Sequence, residues 1–417
     1  MLTFGGMRFA RGPLTLGQRI VLDSLAQRSA EADYTYNIDR VVPVPPGMDV
    51  TTVFAAIYAL VRRHEALRTR FPAGGREQVV DGAGMLPIRM CDSVEEARAA
   101  LVTEPFDIFS EWGLRVAVVT RNERPRSVVL CLSHLAVDAW AANLVVDDLR
   151  ALLRGADRPE PALRPLDQAA RESTEDSLRA QADALAHLRK VLLAAPPEPA
   201  GATVDPGGWR LGVLRSSAVD PAARAVAARC RTTAAVVYLA AAAVGLGAGP
   251  HVLKTITHNR LTPAEMTCVA PFALDMFVPV DVSGEKFDAL VARTWDAYRE
   301  ASRHSRYDPA AVRPLVAEIA AERGHRPDLS VLVNDLRASS RPPAGTGPTT
   351  FRWGEPFRLP GLTHYLAIAD DGDAVTLSLL ANGSALAQEQ VPAFLHGMER
   401  LVAAAADGDT VLDGTWS

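Results

Sequence analysis

A histidine and an aspartate four residues apart form the part of the sequence best suited to chemistry. His134 and Asp138 lie in the segment 130–140, LCLSHLAVDAW. The ordinary pKa of an imidazole is near neutrality, so the histidine can take a proton from an attacking amine or hydroxyl. Two roles fit the aspartate: it orients the imidazole, or it pairs with a distant arginine and fixes the turn. The spacing alone is a weak signal, since a hydrogen-bonded structural histidine explains it without any catalytic role.

The neighbouring elements predict where this pair lies. Leu114–Val119 and Val128–Leu132 are β-branched runs joined by a polar, proline-containing segment, which predicts a hairpin. Between Trp140 and Leu153 the apolar residues recur at every third or fourth position, which predicts a helix. The pair therefore lies in a turn at the edge of a sheet, between a strand and a helix. An earlier helix is predicted over Thr51–Arg63, with Thr51 or Thr52 as its cap.

Two α+β halves are expected. After an alanine-rich helical stretch near 178–193, the segment PPEPAGATVDPGG cannot continue a helix. We place residues 1–165 in the first half and 166–417 in the second. The second half repeats the mixed pattern, with a strand over Leu211–Val219 and a helix over 287–304. His304, at the end of that helix, either lines a cleft or is a solvated helix-end histidine.

Composition excludes several classes of protein. The chain has 417 residues, of which 48% are hydrophobic, and its formal net charge is -5. A broad positive field for nucleic acid is therefore missing. The four cysteines are singly spaced, so neither a disulfide framework nor a zinc knuckle is indicated, and we expect no metal site. No signal peptide or membrane helix is indicated, and we expect a cytoplasmic protein.

The segment 133–139, SHLAVDA, resembles the HHxxxDG signature of the condensation domains of nonribosomal peptide synthetases. These domains are related to chloramphenicol acetyltransferase. Further blocks follow in the family's order, over nearly the whole chain: LTLGQRIVLDSL at 14–25, RRHEALRTRF at 62–71, PFD at 105–107 and ITHNR, which ends at Arg260. The resemblance implies an α/β (α+β) fold of two chloramphenicol acetyltransferase-like lobes. It also implies that the two lobes form a V-shaped pseudo-dimer around a central tunnel.

The resemblance also implies roles for individual residues. His134 is the expected general base, and Asp138 and Arg260 form a structural pair at the site. Five further residues are expected to line the substrate tunnel: Ser133, Ala139, Trp140, Ser330 and Asn334. The last two lie on the strand-like segment DLSVLVNDL, where a strand edge or turn explains them equally well.

Two signature positions depart from the family's pattern. Ser133 replaces the first histidine, which is a mild change because the family uses the second. Ala139 replaces the glycine that allows close approach of the backbone. We expect its methyl group either to narrow the thioester channel or to tilt a backbone N–H that would stabilise an oxyanion. We expect altered selectivity before loss of activity.

Two functions follow from the resemblance. The first is an acyltransferase that forms an amide or ester bond in nonribosomal peptide and other natural-product biosynthesis. Its donor is an acyl or aminoacyl thioester on the phosphopantetheine of a carrier protein, or on coenzyme A, and its acceptor is an amine or hydroxyl, free or carrier-bound. The second is a catalytically inactive platform, like the X domain, that recruits a partner enzyme to a synthetase. In either case we expect a monomer, free-standing or excised from a synthetase, that binds no cofactor, nucleic acid or membrane.

Overall fold

Strands and helices are mixed along the whole chain. The computed structural model describes residues 1–26, 36–72, 77–199, 208–284, 286–337 and 347–412. The strands are β1 (Leu2–Phe4), β2 (Ala10–Pro13), β3 (Asn37–Pro43), β4 (Thr69–Arg70), β5 (Glu77–Val80), β6 (Gly84–Leu86), β7 (Ile88–Cys91), β8 (Leu114–Arg121), β9 (Arg124–Ser133), β10 (Trp209–Ser216), β11 (Gly249–Thr257), β12 (Leu274–Val282), β13 (Val331–Asp335), β14 (Thr350–Gly354), β15 (His364–Asp371) and β16 (Ala374–Asn382). The helices are α1 (Leu16–Ala26), α2 (Val50–Arg63), α3 (Val94–Leu101), α4 (Ala139–Leu153), α5 (Pro165–Glu172), α6 (Glu175–Ala194), α7 (Val219–Cys230), α8 (Ala234–Leu246), α9 (Pro263–Met266), α10 (Phe287–Arg303), α11 (Val312–Arg323) and α12 (Gln390–Asp407).

The described residues divide into two compact units, each made of several chain segments. The first unit draws on Met1–Ala180, His258–Leu274 and Asp308–Ala310. The second draws on Gln181–Thr257, Asp275–Tyr307 and Ala311–Ser417. This division differs from the expected halves 1–165 and 166–417, because the segment 258–274 packs with the first unit although it follows a long stretch of the second.

The first unit is built on a four-stranded sheet in the order β3-β9-β8-β7. Successive residues of a strand point to opposite faces, and both faces of this sheet are covered. Val116 and Val118 of β8 pack with apolar residues of α2 and α4, whereas Ala117 and Val119 pack with α3. Two smaller sheets, β1-β6 and β2-β5-β4, complete the unit.

The second unit is built on a seven-stranded sheet in the order β12-β11-β13-β15-β16-β10-β14. Strands β11, β13 and β15 are parallel to one another, and β16 is antiparallel to β15 and β10. Apolar residues of α7, α8, α10 and α12 form a core with the sheet, and those of α6 and α11 form a second cluster with β11 and β12. The predicted α+β class is confirmed.

Local predictions agree with the structure where the pattern is long. Strands β8 and β9 form the predicted hairpin, and its turn residues Asn122 and Glu123 have positive φ. Helix α2 was predicted with a threonine cap, but the cap is Asp49, whose side chain accepts the N–H of Thr52 at 2.7 Å. The strand predicted over Leu211–Val219 is too long, since β10 ends three residues earlier.

No single helix in the described ranges is long and apolar enough to cross a membrane. Helices α7 and α8 reach that length and hydropathy only when taken together, and a bend of 104° separates them. Residues Val236–Val244 of α8 are buried in the core of the second unit.

Candidate active site

The turn between β9 and α4 is held by backbone hydrogen bonds. The carbonyl of Ser133, the last residue of β9, accepts the N–H of Ala136 at 2.9 Å and that of Val137 at 3.2 Å. Both alanine and valine side chains are fully buried, so the turn is anchored in the core. Asp138 then caps α4, since its carboxylate accepts the N–H of Ala141 at 2.7 Å.

This anchored turn presents His134 to a cavity of about 320 Å³ in the first unit. The imidazole lies 5.5 Å from the ring of Tyr36, centroid to centroid. Most of the remaining wall is apolar. It is formed by side chains of α1 and of the segment before β8, namely Val21, Leu22, Leu25, Phe106, Ile108 and Phe109.

The environment of His134 favours its neutral form. Its Nδ1 atom is buried and has no hydrogen-bond partner among the described residues. Burial lowers the pKa of this imidazole, and the negative charge of Asp138 offsets part of that effect. A neutral imidazole carries a free lone pair at neutral pH, so His134 has the protonation state that a general base requires.

Asp138 and Arg260 form a buried ion pair within the first unit. One guanidinium nitrogen, Nη2, lies 3.0 Å from Oδ1 and 3.2 Å from Oδ2 of the carboxylate. Oδ2 also accepts the N–H of Phe272 at 2.9 Å. The carboxylate bonds thus go to the arginine and to backbone groups. Of the two roles that fitted the aspartate, this geometry corresponds to pairing with a distant arginine.

Arg260 also ties together the segment that carries it. Its two terminal nitrogens donate to the carbonyls of Glu265, Cys268 and Ala270 at 2.6–2.8 Å. Its guanidinium carbon lies 4.3 Å from the centroid of the Phe272 ring. The segment 258–274 is therefore fixed to the start of α4 through one side chain.

A model of the condensation-domain family matches residues 13–318. The chain belongs to the condensation-domain family. The resemblance carried by SHLAVDA and the other blocks is thereby confirmed.

Relatives of this condensation domain are large synthetases. Phosphinothricin tripeptide synthetase PhsB of Streptomyces viridochromogenes is 30% identical over 207 residues, which are 45% of this chain and 17% of that protein. PhsC of the same organism is 28% identical over 303 residues, 64% of this chain and 27% of that protein. Nonribosomal peptide synthetase kk1B of Curvularia clavata is 30% identical over 143 residues, 31% of this chain and 1% of that protein. The chain thus spans only a small part of each of these relatives.

Solved structures of condensation domains and of an X domain share the fold. The condensation domain of the monacolin K polyketide synthase MokA has a TM-score of 0.73 at 19% identity, over 95% of this chain and 98% of that one. The X domain in the complex with OxyB from teicoplanin biosynthesis has a TM-score of 0.72 at 20% identity, over 99% and 98%. The expected chloramphenicol acetyltransferase-like fold is confirmed.

The other expected site residues of this condensation domain lie in both units. Ser133 is buried and borders the same cavity as His134, whereas Ala139 and Trp140 are exposed. The indole N–H of Trp140 donates to the carbonyl of Met266 at 3.0 Å, so the first turn of α4 is also tied to the segment 258–274.

Ser330 and Asn334 belong to the second unit and are held by neighbours there. Ser330 lies just before β13, is buried, and bonds to Asp328 at 2.6 Å and to the hydroxyl of Thr363 at 2.7 Å. Asn334, on β13, donates to the hydroxyl of Tyr365 at 3.3 Å. Their proposed place on a substrate path stays a prediction.

Sequence reasoning did not assign the walls of the His134 cavity. The blocks at 14–25 and 105–107 supported the family resemblance, but no site role was given to α1, Tyr36 or Phe106. A signal was present in the many apolar residues of those blocks. Periodicity attributes such residues to a packed core, and it does not show that they surround an opening.

Proposed function

We propose that this condensation domain is an acyltransferase in which His134 acts as general base. The observation that carries the proposal is the position of this histidine, on an anchored turn, beside a cavity, with a pKa below its ordinary value. The acceptor is an amine or a hydroxyl, and the donor is a thioester on the phosphopantetheine of a carrier protein, or on coenzyme A. The relatives are synthetases, and this supports a carrier protein as the partner.

The proposed reaction forms a C–N or C–O bond and breaks a C–S bond. His134 removes the proton of the acceptor as the acceptor attacks the thioester carbonyl. The tetrahedral intermediate collapses, the thiolate leaves, and the imidazolium returns the proton to it. A general base contributes about 10²–10⁴-fold to the rate, so alignment of the two substrates supplies most of the remaining acceleration.

The cavity wall favours an apolar group beside the reacting atoms. Aliphatic side chains of α1 lie on one part of the wall, and Phe106 and Phe109 lie on another. Burying apolar surface stabilises a bound group by about 25 cal/mol per Å². We therefore propose that one of the two substrates carries an aliphatic or aromatic portion that enters this cavity.

We propose that Asp138 and Arg260 hold the turn in position and take no part in the proton transfer. Their bonds fix the first turn of α4 relative to the segment 258–274. No bond from this carboxylate to the imidazole is needed for that role. We retain the monomeric state and the cytoplasmic location as parts of the same proposal.

A second candidate function is a recruitment platform without catalysis. The departures at Ser133 and Ala139 favour it, because the family's signature has histidine and glycine at those positions. The X domain shows that this fold occurs in a complex with OxyB. His134 argues against the platform. Its buried Nδ1 has no partner within the described part of the chain, and burying it costs free energy that a binding surface does not require.

Intact-mass spectrometry with an acyl-loaded carrier protein and a panel of amines and alcohols tests the proposal. We expect loss of the acyl mass from the carrier only when a suitable acceptor is present. His134→Ala should slow transfer at least a hundredfold. His325→Ala is the matched control, because among the described residues its ring bonds to the backbone carbonyl of Arg326 alone, at 3.3 Å, and the change should leave the rate unchanged.

Three outcomes decide between the candidates. Transfer that depends on His134 supports the acyltransferase. Unchanged transfer in a folded His134→Ala variant overturns the catalytic role of this residue. No transfer with any donor or acceptor, together with stoichiometric binding of a synthetase-associated oxygenase, supports the platform.

A further inference from the structure

Two histidines and a glutamate meet in the second unit, away from the turn that carries His134. His187 lies on α6, Glu300 lies on the last turn of α10, and His304 follows that helix directly. One ligand atom from each of the three lies within 4.8 Å of the other two. Glu300 and His304 are four residues apart, so they share one face of the helix. The two imidazole rings stack at 4.4 Å with an angle of 12° between their planes.

One ring nitrogen of this cluster is buried without a hydrogen-bond partner among the described residues. Nε2 of His187 is buried and makes no hydrogen bond to any described residue. Buried polar atoms in folded proteins nearly always have a partner, which is protein, water or a bound ion. A buried nitrogen of this kind, beside a second imidazole and a carboxylate, therefore marks a position where an ion can bind.

The hydrogen bond of the second histidine leaves a lone pair on one ring nitrogen. Nδ1 of His304 lies 3.0 Å from the backbone carbonyl of Glu300. A carbonyl only accepts, so Nδ1 carries the proton and Nε2 carries the free lone pair. Metal-binding histidines commonly have this arrangement, in which the other ring nitrogen donates to a carbonyl or carboxylate.

We propose that His187, Glu300 and His304 bind one divalent transition-metal ion of the zinc class. Two histidines and a carboxylate suit Zn²⁺, which then has a fourth position for water. In a tetrahedral site with ligand bonds of about 2.0–2.2 Å, the ligand atoms lie about 3.3–3.6 Å from one another. The three ligand atoms here lie within 4.8 Å of one another. Binding the ion therefore requires rotation of the Glu300 side chain and of one of the two stacked imidazole rings. The ion links α6 to the end of α10.

Calorimetric titration of the full chain, first stripped of metal with EDTA, tests the site. ZnCl₂ should bind with one equivalent per chain, and MgCl₂ should not bind measurably. His187→Ala and His304→Ala should each weaken Zn²⁺ binding at least tenfold. His251→Ala is the control in the same unit, because its Nε2 donates to the carbonyl of Gly247 at 2.9 Å, and it should bind as the parent does.

Co²⁺ supplies an independent readout, since its visible absorption reports histidine coordination. We expect that absorption in the parent and the control and its loss in the double variant His187→Ala/His304→Ala. Where circular dichroism shows that a histidine variant has not folded, Glu300→Gln on the exposed face replaces it, with the same expected loss. Absence of saturable Zn²⁺ binding, or equal binding in the parent and a folded double variant, overturns the proposal.

Discussion

Replacing Arg260 by methionine removes a buried charge and leaves Asp138 without its ion-pair partner. The arginine side chain has no exposure and the aspartate side chain has 3%. The variant loses both hydrogen bonds to the carboxylate and the three to the backbone carbonyls of Glu265, Cys268 and Ala270. Methionine preserves much of the side-chain volume, so the change isolates charge and hydrogen bonding.

The expected loss of stability is about 3–5 kcal/mol, the usual cost of removing one partner of a buried pair. The N–H groups of Ala141 and Phe272 still bond to Asp138, which limits the cost at the carboxylate. The three backbone carbonyls that lose their donor increase the loss of stability, since each unsatisfied buried group costs about 1–3 kcal/mol unless water reaches it.

Native-state hydrogen exchange at the amides of Ala141 and Phe272 measures the effect where it arises. Arg260→Met should lower the free energy of opening at both amides, and adding Asp138→Asn should restore about 1–3 kcal/mol by removing the stranded charge. Arg179→Met, at a pair whose side chains are 67% and 93% exposed, should change stability by less than about 1 kcal/mol. A loss below about 1 kcal/mol in Arg260→Met, or strict additivity in the double variant, would refute the reasoning.

Three further predictions follow from the titration and packing of particular residues. The pKa of His134 is below 6.5, so kcat/KM for acyl transfer should rise with pH along a limb whose midpoint lies below pH 6.5; a midpoint above 7 contradicts this. Burial lowers the pKa of His364 to about 4, so on acidification this imidazole takes up a proton in the unfolded chain before it does in the folded chain. About 3 kcal/mol of the free energy of unfolding is therefore lost as pH falls from 6.5 to 4. In urea unfolding, His364→Asn should remove that share of the acid sensitivity, and an unchanged pH dependence contradicts it. Gly17→Ala places a Cβ atom 2.1 Å from the carbonyl oxygen of Pro271, so it should lower the melting temperature by several degrees, whereas Gly5→Ala, with open space around it, should not.

Local patterns predicted the elements that hold the candidate base. The β8–β9 hairpin and α4 follow from strong periodicity and an evident polar turn. The end of β10 was missed for an equally local reason. The hydroxyl of Ser216 accepts the N–H groups of Ala218 and Val219, which turns the chain into α7 inside an apolar run.

Long-range placement was beyond the residue pattern. Nothing in the periodicity of the chain brings Arg260 to Asp138, 122 positions away. The family resemblance predicted that pair, because it matches both residues to sequence blocks that are in contact in the family's fold. The family's blocks do not include the cluster of two histidines and a glutamate. More than a hundred residues separate His187 from Glu300 and His304, so only coordinates reveal this cluster.

The return of the segment 258–274 to the first unit has a consequence for recombining such proteins. A chimaera that takes residues 1–180 from one parent and the rest from another separates Asp138 and Gly17 from the arginine and the carbonyl oxygen that lie beside them in this chain. Exchanges between related condensation domains should therefore move residues 258–274 together with the N-terminal residues, as one discontinuous unit. The transferable module of this protein is defined by contacts and not by a single stretch of chain.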